Sequence, residues 1–358
     1  MYNNLFIAKH NNMKNIKNYI ILIPILILNI ISIIYLYQTP YFYKHLLFLT
    51  ISYTLLILFS RIKINYIIKY IKYLYVLSIL LLFIVLIIGR EINGSKAWIH
   101  LFNISFQPSE LTKLILTLYC PYLAIRNKKI LLLIIIIIPS ILTYLEPDTG
   151  AIIFYFIILL TSLKYTKYTL KSLLPIILLI IIIISSHIYL YINYKNILIN
   201  IYGNKLFYRL DRLLSFKNGT NIQNINSLIS IGSHHLLYIP ENHNDFIFAS
   251  IISKYSITFV ITQICYISIL IFITKKLTNK NNISNIYTNT ILNMLLFQIF
   301  YNILMNISLL PIIGIPLPFI SYGGSYLITL YIEIGLLINL NSKKVRYNKD
   351  DNKDYSMD

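Results

Sequence analysis

PENHNDFIFA, Pro240 to Ala249, joins a long polar stretch to a long apolar one, and a carboxylate, Asp245, stands at the join. An acid at a membrane edge is costly to keep, so it marks a functional candidate if the apolar side is lipid-embedded. Composition decides that condition. The chain has 358 residues, 57% hydrophobic and 12% charged, with a mean hydropathy of +0.70. A soluble domain of this length needs far more polar surface. The chain therefore reads as one helical, polytopic membrane domain. Its net charge of +19 is orientation charge on the cytoplasmic side, not a sign of nucleic acid. Ile, Asn, Lys and Tyr share AT-rich codons, so a single Lys carries little weight. Cys120 and Cys265 fall in apolar segments and give neither a disulfide framework nor metal-ligand spacing. The first apolar run is too long for a signal peptide and lacks a small-residue cleavage site, so it reads as a span.

Outward from Asp245, ten apolar stretches approach the roughly 20 residues that cross a bilayer. They run from about Tyr19 to Tyr37, Leu46 to Ser60, Ile71 to Gly89, Pro108 to Ile125, Ile130 to Leu145, Thr149 to Leu163, Ser172 to Tyr191, Phe246 to Thr274, Thr288 to Leu309 and Pro318 to Leu340. Lys and Arg collect in alternate short connections: Arg61 and Lys63, Arg126 to Lys129, Lys164 to Lys171, Lys275 to Lys280, and Lys343 to Arg346. The other short connections hold only Lys44, Arg90 and Lys96. That asymmetry puts both termini in the cytoplasm. It leaves one long extracytoplasmic loop, residues 193–245, between helices seven and eight. Residues 1–342 form the single transmembrane domain, and the polar tail 343–358 reads as disordered.

In this topology four unusual segments reach the same outer face: INGSKAWIHLFNISFQPSELTK, EPDTG, PENHND and LPIIGIPLPFISYGGS. Irregular backbone at membrane depth survives only inside protein or around a wet cavity, so their convergence implies one outward-facing site. Residue by residue, a plainer reading stands beside each functional one. Asp245 opens helix eight and is either a base or an N-cap. Glu110 and Lys113, three apart on one helix face, form either an internal ion pair or a site wall. Gln107 and Ser109 bind sugar or cap helix four, with capping favoured for Ser109. Trp98, the sole tryptophan, is by itself an interfacial anchor. Asp148 caps helix six. Pro316 and Pro318 break the path into helix ten, and Gly323 and Gly324 allow close backbone approach. His234, His235, His243, Glu241 and Asp245 lack any standard metal spacing.

The residues Trp98-Ile99, FQPSELTK (Phe106 to Lys113), EPDTG (Glu146 to Gly150), PENHNDFIFA, Asn302 and IGIPLPFISYGGS (Ile313 to Ser325) occur in order across nearly the whole chain. In these motifs the chain resembles the SEDS family (shape, elongation, division and sporulation), multi-pass peptidoglycan glycosyltransferases of the bacterial cytoplasmic membrane. The Ile-Pro before Leu-Pro-Phe and the SYGGS ending lean toward its RodA branch over FtsW. The resemblance implies polymerisation of lipid II, with release of undecaprenyl diphosphate, for elongation and cell shape. It implies Asp245 as catalytic base or anchor for a divalent cation, Mg or Mn. It implies substrate contacts from Trp98, Gln107, Glu110, Lys113 (facing the diphosphate), His243, Ser321 and Tyr322. Pro108, Ser109, Pro147, Asp148, Gly150, Pro240, Glu241, Asn302, Pro316, Pro318, Gly323 and Gly324 then frame the site. The implied partner is a class B penicillin-binding protein.

The chain also departs from that pattern. The loop before PENHND is shorter and lacks glycines beyond Gly232. Ser253 and Lys254 stand where the family carries an acidic pair, and Glu333 has no counterpart. Two other readings remain: a flippase for lipid-linked precursors and a scaffold that has lost catalysis. No internal repeat of the transporter kind is visible.

Overall fold

The computed structural model describes residues 18–92, 95–101, 104–166, 186, 189, 193–194, 208–278 and 282–342. The expected helix Ser172 to Tyr191 falls almost entirely outside the described residues, and the tail 343–358 falls wholly outside them. A 3-10 turn, Tyr19–Ile21, leads into α1 (Leu22–Leu36). There follow α2 (Phe42–Arg61), α3 (Ile64–Ile88), three short strands, α4 (Pro108–Ile125), α5 (Lys129–Leu145) and α6 (Thr149–Leu163). The chain continues through α7 (Tyr208–Lys217), α8 (Ile222–Ser233), α9 (Ile247–Lys254), α10 (Ile257–Thr274), α11 (Ile283–Asn306) and α12 (Gly324–Ser342). Among the described helices five are long and apolar enough to cross a membrane, and α5 and α6 are shorter apolar ones. The protein is a polytopic, predominantly helical membrane protein.

Local chemistry starts these helices. Pro108 in the first turn of α4 has no amide hydrogen to leave unsatisfied, and Glu110 follows in the same turn. Asp148 caps α6 by accepting from the Ala151 amide at 3.2 Å. Asn221 and Asn282 cap α8 and α11 in the same manner.

Two helices make the centre. α4 touches α3, α5, α6, α11 and α12, and it buries Thr112, Lys113 and Thr117 along with its apolar residues. α12 lies against α2 and α4 and is buried along most of its length. Lipid gives no hydrophobic drive between helices, so close approach depends on small residues. A Cβ on Gly335 would lie 2.6 Å from the Leu56 carbonyl oxygen, and one on Gly324 would lie 2.6 Å from the Phe48 ring. Gly323 meets only ordinary contacts, so of the expected pair Gly324 alone answers a close approach. Around this centre α3 and α10 turn Phe83, Ile87, Ile264 and Ile267 outward, as helices facing lipid do.

Four expectations need correction. The all-α reading misses an antiparallel three-stranded sheet, β1 (Arg90–Ile92), β2 (Ser95–Leu101) and β3 (Ile104–Phe106). Its signal was alternation: Ala97 and Ile99 are buried, while Lys96, Trp98 and His100 between them are half-exposed. The long loop is not merely polar, because α7 and α8 lie within it. The eighth helix is two. At Tyr255 the backbone extends (φ −140°, ψ 83°), its amide closes α9 on the Ile251 carbonyl at 2.8 Å, and α10 restarts at Ile257. Hydropathy runs through the break, so periodicity does not register it. Residues 318–323 form turns before α12 rather than its first residues.

Candidate active site

Asp245 ends the turn that precedes α9 and is half-buried. Its backbone is fixed from α11: Asn302 and Asn306 both donate side-chain amides to the Asp245 carbonyl oxygen, at 2.9 and 3.0 Å. Asn302 also donates to the Ile315 carbonyl at 2.7 Å, so one side chain binds the PENHND turn to the IGIPLP segment. Asn306 accepts from the Ala249 amide at 3.0 Å. The helix N-cap is Phe246, and no side chain caps it. Asp245 therefore stands one residue before the N-cap position. Its Oδ2 lies 3.5 Å from where a Cβ on Gly314 would stand, and Gly314 is exposed with φ +69°. Glycine fits that left-handed backbone and leaves the carboxylate open on this side.

The neighbouring turns close on the same point. A Cβ on Gly150 would sit 3.4 Å from the Ile313 carbonyl oxygen and 3.6 Å from that of Gly314. The EPDTG turn thus abuts the glycine that faces Asp245. Ser321 donates to the Asn244 carbonyl at 2.7 Å and accepts from the Leu317 amide at 2.7 Å. The Tyr322 amide donates to the His243 carbonyl at 3.0 Å. Glu241 and Phe319, one on each side of this seam, hold positive φ of 60° and 63°. Non-glycine residues accept such backbone only where their surroundings fix it.

His243 stacks on Tyr41, ring centroids 4.0 Å apart and planes 14° apart, with Tyr322 5.7 Å away. Burial pushes its imidazole below the ordinary value, and the Glu241 carboxylate at 3.7 Å opposes that shift.

The other predicted side chains divide by depth. Gln107 and Ser109 both donate to Asp148 Oδ2 at 2.8 Å. Ser109 is therefore not a cap: the N-cap of α4 is Gln107, and it makes no side-chain capping bond. Lys113, expected to face a diphosphate, is turned into the bundle and is 3% exposed. It pairs with Glu110 at 2.5 Å and lies 5.1 Å from the Phe154 ring and 5.4 Å from the Tyr326 ring. Thr329 of α12 donates to the same Glu110 oxygen at 3.1 Å. This pair fastens α4 to α12 beneath the turns. Trp98 is half-buried on β2 opposite Arg90, on the sheet rather than the Asp245 loop. Pro316 accepts from the Gln298 amide at 3.0 Å. Pro318 accepts from the Tyr266 hydroxyl at 2.6 Å. Pro108, Pro147 and Pro240 all stand in or beside these turns.

Sequence reasoning missed Asn306, Tyr41 and Gly314. Asn302 and Asn306 lie four apart on one face of an apolar helix, a spacing that does signal paired polar work. Tyr41 carries no such signal. Among the described residues no group of three or more His, Cys, Asp or Glu gathers as metal ligands. The described donor set therefore does not fit a divalent cation held by protein alone.

A multi-pass helical bundle with a half-open carboxylate where three turns meet at one end defines a membrane protein with a polar site at its surface. The chain belongs to the cell cycle protein family of FtsW, RodA and SpoVE, whose family model matches residues 11–346. This is the SEDS family that the motifs resemble, and curated relatives named as probable peptidoglycan glycosyltransferases support the glycosyltransferase class. A probable peptidoglycan glycosyltransferase FtsW of Buchnera aphidicola subsp. Baizongia pistaciae is 32% identical, over 83% of this chain and 83% of that one. One of the same name from Coxiella burnetii is 31% identical, over 85% and 87%. Among solved structures, one from a peptidoglycan synthase complex that coordinates polymerisation and crosslinking superposes with a TM-score of 0.75 at 22% identity, covering 91% of this chain and 98% of that one. RodA of Thermus thermophilus gives 0.64 at 21%, covering 92% and 97%. These two likenesses speak for the fold.

Proposed function

We propose that the protein polymerises lipid II into glycan strands at the outer face of the bacterial cytoplasmic membrane, with Asp245 as the base. The carrying observation is the Asp245 carboxylate, half-buried beside exposed Gly314, on a backbone that two asparagines fix. The reaction breaks the bond between the donor sugar and its diphosphate and joins that sugar to an acceptor hydroxyl. The acceptor proton passes to the Asp245 carboxylate, and the lipid diphosphate leaves with the bonding electrons. A positioned base of this kind contributes roughly 10²- to 10⁴-fold. Pinning from α11 serves orientation, because a misplaced base loses most of that factor. Lys113, buried and paired with Glu110, works as a brace between helices in this reading and does not receive the diphosphate.

The partner in this reading is a class B penicillin-binding protein. Support comes from α10, where Ile257, Val260, Ile264, Ile267 and Ile271 stand exposed at helical spacing, a stripe suited to a single membrane helix. The elongation role rests on the Ile-Pro and SYGGS details alone. Rescue of a rod-shape mutant but not of a division mutant supports it, and the reverse assigns division.

The direct test uses purified protein, with its transpeptidase partner, and lipid II. Wild type is expected to build polymer and Asp245→Asn to build it roughly 10²- to 10⁴-fold more slowly. Equal polymer from both refutes the assignment of Asp245. Lipid II scrambling in liposomes without polymer supports the flippase instead.

A further inference from the structure

Away from Asp245, the turn after α1 faces the break between α9 and α10. Lys254, the last residue of α9, donates from Nζ to Gln38 Oε1 at 2.9 Å and lies 5.4 Å from the Tyr255 ring. Both Lys254 and Gln38 are exposed, and among the described residues no carboxylate pairs with Lys254. An ammonium has three donors, so the bond to Gln38 leaves donors and an uncompensated charge. Gln38 likewise keeps its side-chain amide donor.

Beside this pair is a cavity of about 310 Å³, lined by Ile33, Ile34, Tyr37, Gln38 and Tyr255. That is the lower end of the ~300–1,000 Å³ range of ligand sites. Its wall is isoleucine from α1, and its rim carries tyrosines, which concentrate at headgroup level in membranes. A free anion has no use for the isoleucine wall. A neutral lipid has no use for an unpaired cation at the rim. The combination fits an amphiphile with an anionic head and a hydrocarbon tail.

We propose that this cleft binds one anionic phospholipid, its phosphate on Lys254 Nζ and the Gln38 amide and its acyl chain along Ile33 and Ile34. The lipid ties the α1–α2 turn to the α9–α10 corner, one short helix away from Asp245. The site is independent of glycosyl transfer.

Native mass spectrometry of the full chain in neutral detergent tests it, with phosphatidylglycerol, phosphatidylcholine or a prenyl diphosphate titrated in. Wild type is expected to retain one phosphatidylglycerol in preference to phosphatidylcholine. Lys254→Gln lowers phosphatidylglycerol retention about fivefold, the factor matching ~1 kcal/mol per near-surface Lys, and leaves phosphatidylcholine unchanged. Lys254→Arg keeps the preference, and Ile34→Trp, which fills the cleft, lowers retention of both. Monodisperse elution of each variant shows that it folds. Equal phosphatidylglycerol retention by wild type and Lys254→Gln overturns the proposal, as does a wild type with no preference between the phospholipids. Prenyl diphosphate retained more strongly than phosphatidylglycerol, and lost in Lys254→Gln, overturns the choice of a phospholipid.

Discussion

Asp245 and Glu146 are both acids in turns that meet at Gly314, yet their surroundings are opposite. Asp245 is half-buried, and its Oδ2 faces an exposed glycine. Glu146 is 0% exposed, and among the described residues neither of its carboxyl oxygens has a hydrogen-bond partner. Burial, with a smaller push from Asp148, raises its carboxyl to about 9. At neutral pH Glu146 is therefore an uncharged acid inside the fold. Asp245 has the access that a proton acceptor for an outside hydroxyl requires. Sharing a turn cluster does not make an acid a base; access and solvation do.

Five substitutions bear on this contrast. Asp245→Asn keeps shape and removes the acceptor, and a roughly 10²- to 10⁴-fold loss in lipid II polymerisation is expected. If Glu146→Gln matched that loss, the contrast would be broken. Lys113→Met strands the half-buried Glu110 carboxylate and is expected to cost about 3–5 kcal/mol, read by thermal unfolding in detergent. Adding Glu110→Gln is expected to recover most of that, since the pair then leaves no lone charge. Glu146→Gln should stabilise by about 3 kcal/mol at pH 7 and by almost nothing at pH 4. The sign follows from the raised value. The neutral acid is no handicap below the unfolded value near 4.5, and its contribution is lost as pH rises toward about 9. No stabilisation at pH 7 would mean that the Glu146 oxygens find partners after all. Asn302→Ala removes donors from the Asp245 and Ile315 carbonyls and is expected to cost about 1–2 kcal/mol. Its polymerisation rate should fall without loss of lipid II affinity, because the base shifts while the binding surface stays.

The membrane class was legible because spanning segments announce themselves by length and apolarity, which lipid imposes residue by residue. The ends of α4, α5 and α6 were legible for a similar reason, since Pro108, Pro147 and Asp148 act within a turn of themselves. The break at Tyr255 was not, because Phe259, Val260 and Ile261 continue the apolar run across it. The strand around Trp98 was hidden by its shortness, although Ala97 and Ile99 alternate as a strand should.

By itself the sequence determined that the chain crosses a membrane several times and that PENHND, EPDTG and IGIPLP are its irregular places, because local chemistry forbids a continuous helix through them. Only the tertiary structure decided which charges are usable. Lys113 and Glu110 look like a site wall in sequence, but α12 closes over them with Thr329 and Tyr326. Asp245 stays reachable because Gly314, some seventy residues later in the chain, brings no side chain against it. Solvent access depends on residues distant in sequence, so no local pattern contains it.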